Sequence, residues 1–189
     1  NSYRKQGRGG KGLTGANAKD EDFIEHMFVA STHDYIMLFT NFGKCHWIKV
    51  HEIPEGSRTS RGRSILNLVQ LEKNETITAY LSVQEFSEDK FVVMVTKNGT
   101  IKKTELSDFK NVRKGGITAI TLAEGDQLVE VKLTDGNNDL IIATNKGLAI
   151  RFNETQVRDM GRTAQGVRAI KLNNGDFVIG MVAIKTAST

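Results

Sequence analysis

Short apolar runs recur along this chain, and three of them end in the same polar punctuation. Tyr35 to Phe39, Phe91 to Val95 and Leu140 to Ala143 each run into Thr-x-x-Gly, at Thr40 to Gly43, Thr96 to Gly99 and Thr144 to Gly147. The threonines stand 56 and 48 residues apart. After each glycine comes a second strand-like piece carrying cations: Cys45 to Val50 with Lys49, Thr100 to Glu105 with Lys102 and Lys103, and Leu148 to Phe152 with Arg151. Two strand-length segments joined by a polar turn with glycine predict a β-hairpin.

Each hairpin is followed by a basic loop containing glycine: Arg58 to Arg63 around Gly62, Arg113-Lys114-Gly115-Gly116, and Arg162 to Arg168 around Gly166. Aligning Gly62, Gly115 and Gly166 puts the loops 19, 16 and 19 residues after the turn glycines. A third strand is expected over 65–71, 117–122 and 167–172, then an acidic or amide turn, and a fourth strand over 76–83, 127–133 and 177–184. The opening segment fits as the second half of such a unit, with residues 6–12 as its basic loop, Asp20-Glu21-Asp22 as its turn and Phe23 to Ala30 as its last strand.

Four strands per repeat of about fifty residues predict an all-β fold, a β-propeller of four-stranded blades. Residues 1–33 read as the end of one blade, with 34–89, 90–138 and 139–189 as three more. A solenoid or two β-sandwiches would have the same period, which does not by itself fix closure. Helical repeats do not fit, because the apolar runs are short, β-branched and interrupted by glycine. An incomplete ring of blades is expected to have open sheet edges.

Composition agrees with short strands and turns: 18 Gly against 1 Pro, and 39% hydrophobic residues in a chain of 189. The single Cys45 excludes an internal disulfide framework and suits a reducing compartment. No apolar run approaches the roughly 18 residues of a membrane span, so a cytoplasmic location without membrane contact is expected. The chain opens without Met inside a basic segment, which suggests a piece of a longer protein.

Charge changes the picture more. The net charge is +4, yet residues 4–11, 58–63, 110–114 and 158–168 carry +4, +3, +3 and +2. The remainder is acidic, so the cations are segregated into the loops. The strongest loop is Gln6-Gly7-Arg8-Gly9-Gly10-Lys11-Gly12, preceded by Arg4 and Lys5. Its glycines open the backbone N–H groups to an anion while Arg8 and Lys11 supply charge, so a polyanion is the expected ligand.

Catalytic and cofactor chemistry finds little support. Gly7-x-Gly9-x-x-Gly12 formally matches the dinucleotide fingerprint but lies between no buried strand and no helix opening, which that motif requires. Among Cys45, His26, His33, His46 and His51 only Cys45 and His46 are adjacent, and in a strand they point to opposite faces, unlike a zinc site. The acidic pairs fall in turns and read as turn caps. The basic loops lack the aromatics that stack on bases, so they suit the duplex backbone, and one loop per blade along a rim would bend the duplex that followed it.

These residues resemble the DNA gyrase A C-terminal domain family. Its box of Gln, basic, Arg, Gly, Gly, basic, Gly is matched by Gln6 to Gly12 at every position but the second, where Gly7 stands in place of the usual cation. The likeness continues through Asp22-Phe23-Ile24, Thr32-His33-Asp34, Ile53-Pro54-Glu55, Arg61-Gly62-Arg63, Asn98 to Thr104 and Gly166-Val167-Arg168, over essentially the whole chain. The resemblance implies a six-bladed β-pinwheel whose blades exchange strands, about four repeats of it present here. It implies wrapping of double-stranded DNA with positive handedness in support of negative supercoiling. It also implies a heterotetramer with the remainder of the gyrase A protein and with the gyrase B protein, which hold the strand-passing tyrosine, ATP and magnesium, and a nucleoid-associated cytoplasmic setting. This chain is expected to hold no cofactor, no metal and no catalytic residue, and Tyr3, Tyr35 and Tyr80 are not nucleophiles on this reading.

The expected DNA contacts are Arg4, Lys5, Gln6, Gly7, Arg8, Gly9, Gly10, Lys11, Gly12, Lys49, Arg58, Arg61, Arg63, Lys102, Lys103, Arg113, Lys114, Arg151, Arg162 and Arg168. The related topoisomerase IV domain, usually with a degenerate box or none, and a protein-interaction propeller are the competing readings.

Overall fold

The computed structural model describes residues 34–50, 69–111, 113 and 115–186. Eleven strands are formed among them: β1 (Tyr35–Thr40), β2 (Lys44–Lys49), β3 (Ile77–Val83), β4 (Phe91–Thr96), β5 (Thr100–Glu105), β6 (Ile117–Thr118), β7 (Leu128–Thr134), β8 (Asn138–Thr144), β9 (Ala149–Asn153), β10 (Val167–Arg168) and β11 (Val178–Lys185). Short 3-10 helices follow β5 and β9, at Leu106–Phe109 and Glu154–Gln156.

Thr-x-x-Gly is the turn of each hairpin. The glycine N–H donates to the threonine carbonyl at 3.0, 3.1 and 3.1 Å in turn. The threonine hydroxyl accepts from the N–H four residues on, at Lys44 (3.3 Å), Thr100 (3.1 Å) and Leu148 (3.1 Å). Gly43, Gly99 and Gly147 take φ of +80°, +89° and +89°, a region that side chains disfavour. The acids of the later turns then tie the last strand back to this hairpin. Asn98 N and Gln127 N donate to Asp126, Lys146 N and Phe177 N to Asp176, and the Thr40 hydroxyl to Glu75 at 2.7 Å.

The apolar runs are continuous because their strands are covered on both faces. On β4, Val92 and Met94 belong to a core shared with Met37, Phe39 and Phe109, whereas Val93 and Val95 pack with Leu140, Ile142 and Ile101. Successive sheets therefore stack face to face, as blades do.

The strand order shows the exchange that the resemblance implies and corrects the length of the third strands. The sheets run β3-β1-β2-β6, β10-β5-β4-β7 and β11-β8-β9, so the third strand of each of the last two repeats lies on the sheet of the repeat before it. Ile117 pairs with Cys45 and Thr118 with Lys44, and Val167 pairs with Ile101 and Arg168 with Thr100. Beyond these pairs the chain leaves the ladder and docks on the turn: Gly43 O accepts from Ala119 N and Ile120 N, and Gly99 O from Ala169 N and Ile170 N. The strands expected over 117–122 and 167–172 thus shrink to two residues each, and the third sheet has three strands among the described residues.

A Cβ added at Gly43 would lie 2.6 Å from Ile120 O, one at Gly99 2.9 Å from Ile170 O, and one at Gly166 would strike Ile101 O, whereas nothing approaches Gly147. Gly147→Ala, strained in φ alone, should cost about 1–2 kcal/mol. Gly166→Ala adds a backbone collision and should cost about 3 kcal/mol or more by urea unfolding. Equal losses would show that the exchanged strand is not held this closely.

Candidate nucleic-acid interface

The stacking fixes which edge of each sheet faces where. β3, β7 and β11, each at one edge of its sheet, pack against one another in succession. The exchanged strands β6 and β10 occupy the opposite edge of the first two sheets, and the basic loops lead directly into them. Both described loops are therefore displayed on the outer edge.

Their glycines serve close approach. Gly116 (φ +84°) lies against the His46 ring, where an added Cβ would be 2.6 Å from Cε1. Gly166 (φ +94°) lies against Ile101 and Lys102 in the same way. Each precedes its exchanged strand by one residue, so Gly116, and not Gly115, corresponds to Gly166.

The second loop also touches the exchanged strand that the first leads into. Thr121, just past β6, donates its N–H to Ala164 O at 3.2 Å and its hydroxyl to Thr163 O at 2.7 Å. Arg162 Nη1 donates to Thr118 O at 3.1 Å. The second loop thus begins where the first loop's strand ends, and the outer edge runs on from β6 to Arg168. Arg113 and Arg168 are exposed, and Arg168 borders a cleft lined by Thr96, Thr100, Thr121 and Gln165. Arg162 is half-buried.

The other expected contacts fare differently. Arg151 is exposed and paired with Asp139 at 2.9 Å; the Asn153 amide, together with that pairing, holds the Asp139 carboxyl below its usual pKa. Lys49 is half-buried with its ammonium 6.0 Å from the Tyr35 ring centroid. Arg4, Lys5, Gln6, Gly7, Arg8, Gly9, Gly10, Lys11, Gly12, Arg58, Arg61, Arg63 and Lys114 lie outside the described residues.

Lys102 and Lys103 are corrected outright as surface contacts. Lys102 is fully buried, and its Nζ donates to Ala119 O (2.5 Å), Ala164 O (3.3 Å) and Arg162 O. Burial, and then the Arg162 guanidinium, pull its pKa down to about 7. Lys103 is 6% exposed and donates to Glu154 O at 3.1 Å, with its ammonium 3.9 Å from the Glu154 carboxylate. Glu154 is wholly buried and also accepts from the Thr134 hydroxyl and Asn138 N, both at 2.8 Å. Neighbouring lysines on a strand point to opposite faces, and here both faces are covered by adjacent blades. Nothing local in the sequence marks Glu154, an acid whose partner is 51 residues away.

Nucleophilic chemistry is unfavourable at Cys45, whose thiol is buried and held well above its ordinary pKa by desolvation. Burial likewise lowers the pKa of His46. Among the described residues no group of three or more His, Cys, Asp and Glu side chains could hold a metal.

Comparison with known proteins agrees with this architecture. A family model described as the DNA gyrase C-terminal domain, a β-propeller, matches residues 1–31, 34–84, 90–135 and 138–185. The chain is 57% identical over 152 residues to the DNA gyrase A protein of Neisseria gonorrhoeae, covering 80% of this chain and 17% of that protein. It is 49% identical over 167 residues to the corresponding gyrase A protein of Clostridium acetobutylicum, covering 88% of this chain and 20% of that one. The chain therefore spans only about a fifth of the length of the curated relatives it matches. Among solved structures, the C-terminal domain of a DNA topoisomerase IV superposes with a TM-score of 0.75 at 35% identity, covering 82% of this chain and 48% of that one. A DNA gyrase A C-terminal domain superposes with 0.68 at 28% identity, covering 82% and 50%.

Proposed function

This chain belongs to the DNA gyrase C-terminal domain family of β-propellers, and from that premise we propose that it is a DNA-binding and DNA-wrapping module of a type II topoisomerase. It engages the duplex backbone through the cations of its outer edge and supports negative supercoiling by the complete enzyme. The observation that carries this reading is the docking of the second basic loop on the exchanged strand that the first leads into, Thr121 to Ala164 and Arg162 to Thr118, along one edge. Such a surface meets successive phosphates of a curved duplex, and several contacts offset a bending cost of about 1–6 kcal/mol for 20–30 base pairs.

Gln6 to Gly12, with Arg4 and Lys5, is the anchor on this reading, and Arg58, Arg61, Arg63 and Lys114 continue the track. The partners are double-stranded DNA, the remainder of the gyrase A protein, and the gyrase B protein in a heterotetramer. Strand passage and ATP hydrolysis belong to those other parts, and this chain binds without catalysing. It works in the cytoplasm on nucleoid DNA.

The test is topological. Relaxed nicked plasmid ligated in the presence of the chain should close with a shifted linking number, positive in sign, and replacement of residues 6–12 by alanine should abolish the shift. No shift with the unsubstituted chain would overturn wrapping. The superposition on a topoisomerase IV domain favours a second reading, the C-terminal domain of a topoisomerase IV. It predicts duplex binding with no dependence on residues 6–12.

A further inference from the structure

The Lys102 ammonium is committed entirely to backbone. An ammonium has three N–H donors, and Lys102 Nζ meets three carbonyl oxygens, those of Ala119, Arg162 and Ala164. Ala119 follows the exchanged strand β6 on the first sheet, while Arg162 and Ala164 belong to the basic loop ahead of β10. One buried cation therefore fastens that loop to the neighbouring outer edge, alongside the weaker links from Thr121 and Arg162. Without it, the Ala119 and Arg162 oxygens would lose this donor, and Ala164 O would keep only the Thr121 N–H.

Among the described residues the arrangement does not recur. His46 holds the corresponding place on β2, beside Gly116, and its buried Nε2 has no hydrogen-bond partner. Gly116 of the first loop rests on the His46 ring, and the second loop is clamped. Keeping a cation here is unfavourable, as its lowered pKa shows, and three charge-assisted bonds offset that cost.

We propose that Lys102 is a positioning residue for phosphate binding: it never meets the nucleic acid, and it sets how the loop presents Arg162 and Arg168 to the duplex. The proposal rests on the DNA-binding reading above.

Two variants of the full chain test it. Lys102→Met removes the ammonium at nearly constant length. Lys102→His installs the residue that β2 already accommodates, and remains informative where the methionine variant fails to fold. Amide exchange of the segment 161–168, followed by mass spectrometry, should accelerate by about tenfold or more. Affinity for a short mixed-sequence duplex should fall about tenfold at low salt, with the slope of log K against log salt shallower by about 1–2. Adding Lys102→His to Arg162→Ala/Arg168→Ala should cost little further affinity, because the lysine acts through those arginines. A role in stability alone would lower the melting temperature and leave the slope, measured far below melting, unchanged. Unmoved exchange and slope, or fully additive losses, would overturn the proposal while leaving duplex binding in place. Absence of duplex affinity in the unsubstituted chain would sink the DNA-binding reading, and the positioning role with it.

Discussion

Raising the salt from 50 to 200 mM should weaken duplex binding by about 10³–10⁵, the loss expected when roughly 6–10 phosphates are neutralised and their counterions released. The structure sharpens which cations contribute. Arg113 and Arg168 are exposed on the outer edge, so Arg113→Ala and Arg168→Ala should each reduce the slope by about 0.9. Lys103→Met should leave it unchanged, because that ammonium is buried against Glu154. Filter binding or fluorescence anisotropy over a salt series, with one mixed-sequence duplex and one unrelated sequence, measures both quantities. Similar affinity for the two duplexes is expected from backbone contacts, which carry little sequence information. A slope near zero for the unsubstituted chain would leave the basic edge without a ligand of this kind.

Lys103→Met should instead destabilise the fold by about 3–5 kcal/mol, the usual consequence of removing one partner of a buried ion pair. The carboxylate left behind is inaccessible to water and retains only neutral donors, the Thr134 hydroxyl and Asn138 N. The Lys103 ammonium also donates to the Glu154 carbonyl, so its loss loosens the junction between the second and third sheets, where Lys103 O still accepts from Met160 N. In a Glu154→Gln background the same substitution should cost markedly less, since no charge is then stranded. Equilibrium urea unfolding of the four chains of that cycle measures the coupling. A loss below about 1 kcal/mol for Lys103→Met would mean that the pair behaves like an exposed one.

These two lysines mark the boundary of what the sequence makes legible. Repeat length, hairpins and turns could be read because their determinants are local. Thr-x-x-Gly encodes its own turn within five residues, and Asp126 and Asp176 mark the entry of the last strand in two of the repeats. Exchange of the short strands could not be read from the residues themselves, because Ile117 and Val167 suit either sheet and the choice is made by contacts about seventy residues apart, such as Ile117 with Cys45. Thr100-Ile101-Lys102-Lys103-Thr104 reads as a strand with two cations offered to a ligand. Only the neighbouring blades, which cover its two faces and supply Ala119 O on one side and Glu154 on the other, make it interior. The glycines of the two later basic loops serve the fold itself: at Gly116 and Gly166 the missing Cβ accommodates His46 and Ile101.

Because β6 and β10 each complete the sheet of the repeat before them, the unit that is copied in the gene and the unit that folds are out of phase. Loss or gain of one whole repeat by recombination leaves every lent strand with a lender and a borrower at the new junction. A crossover inside a repeat strands one of them. Lineages carrying this architecture should therefore differ by entire modules, with their breakpoints gathered in the connections between modules, such as Asp135 to Asn137 between β7 and β8.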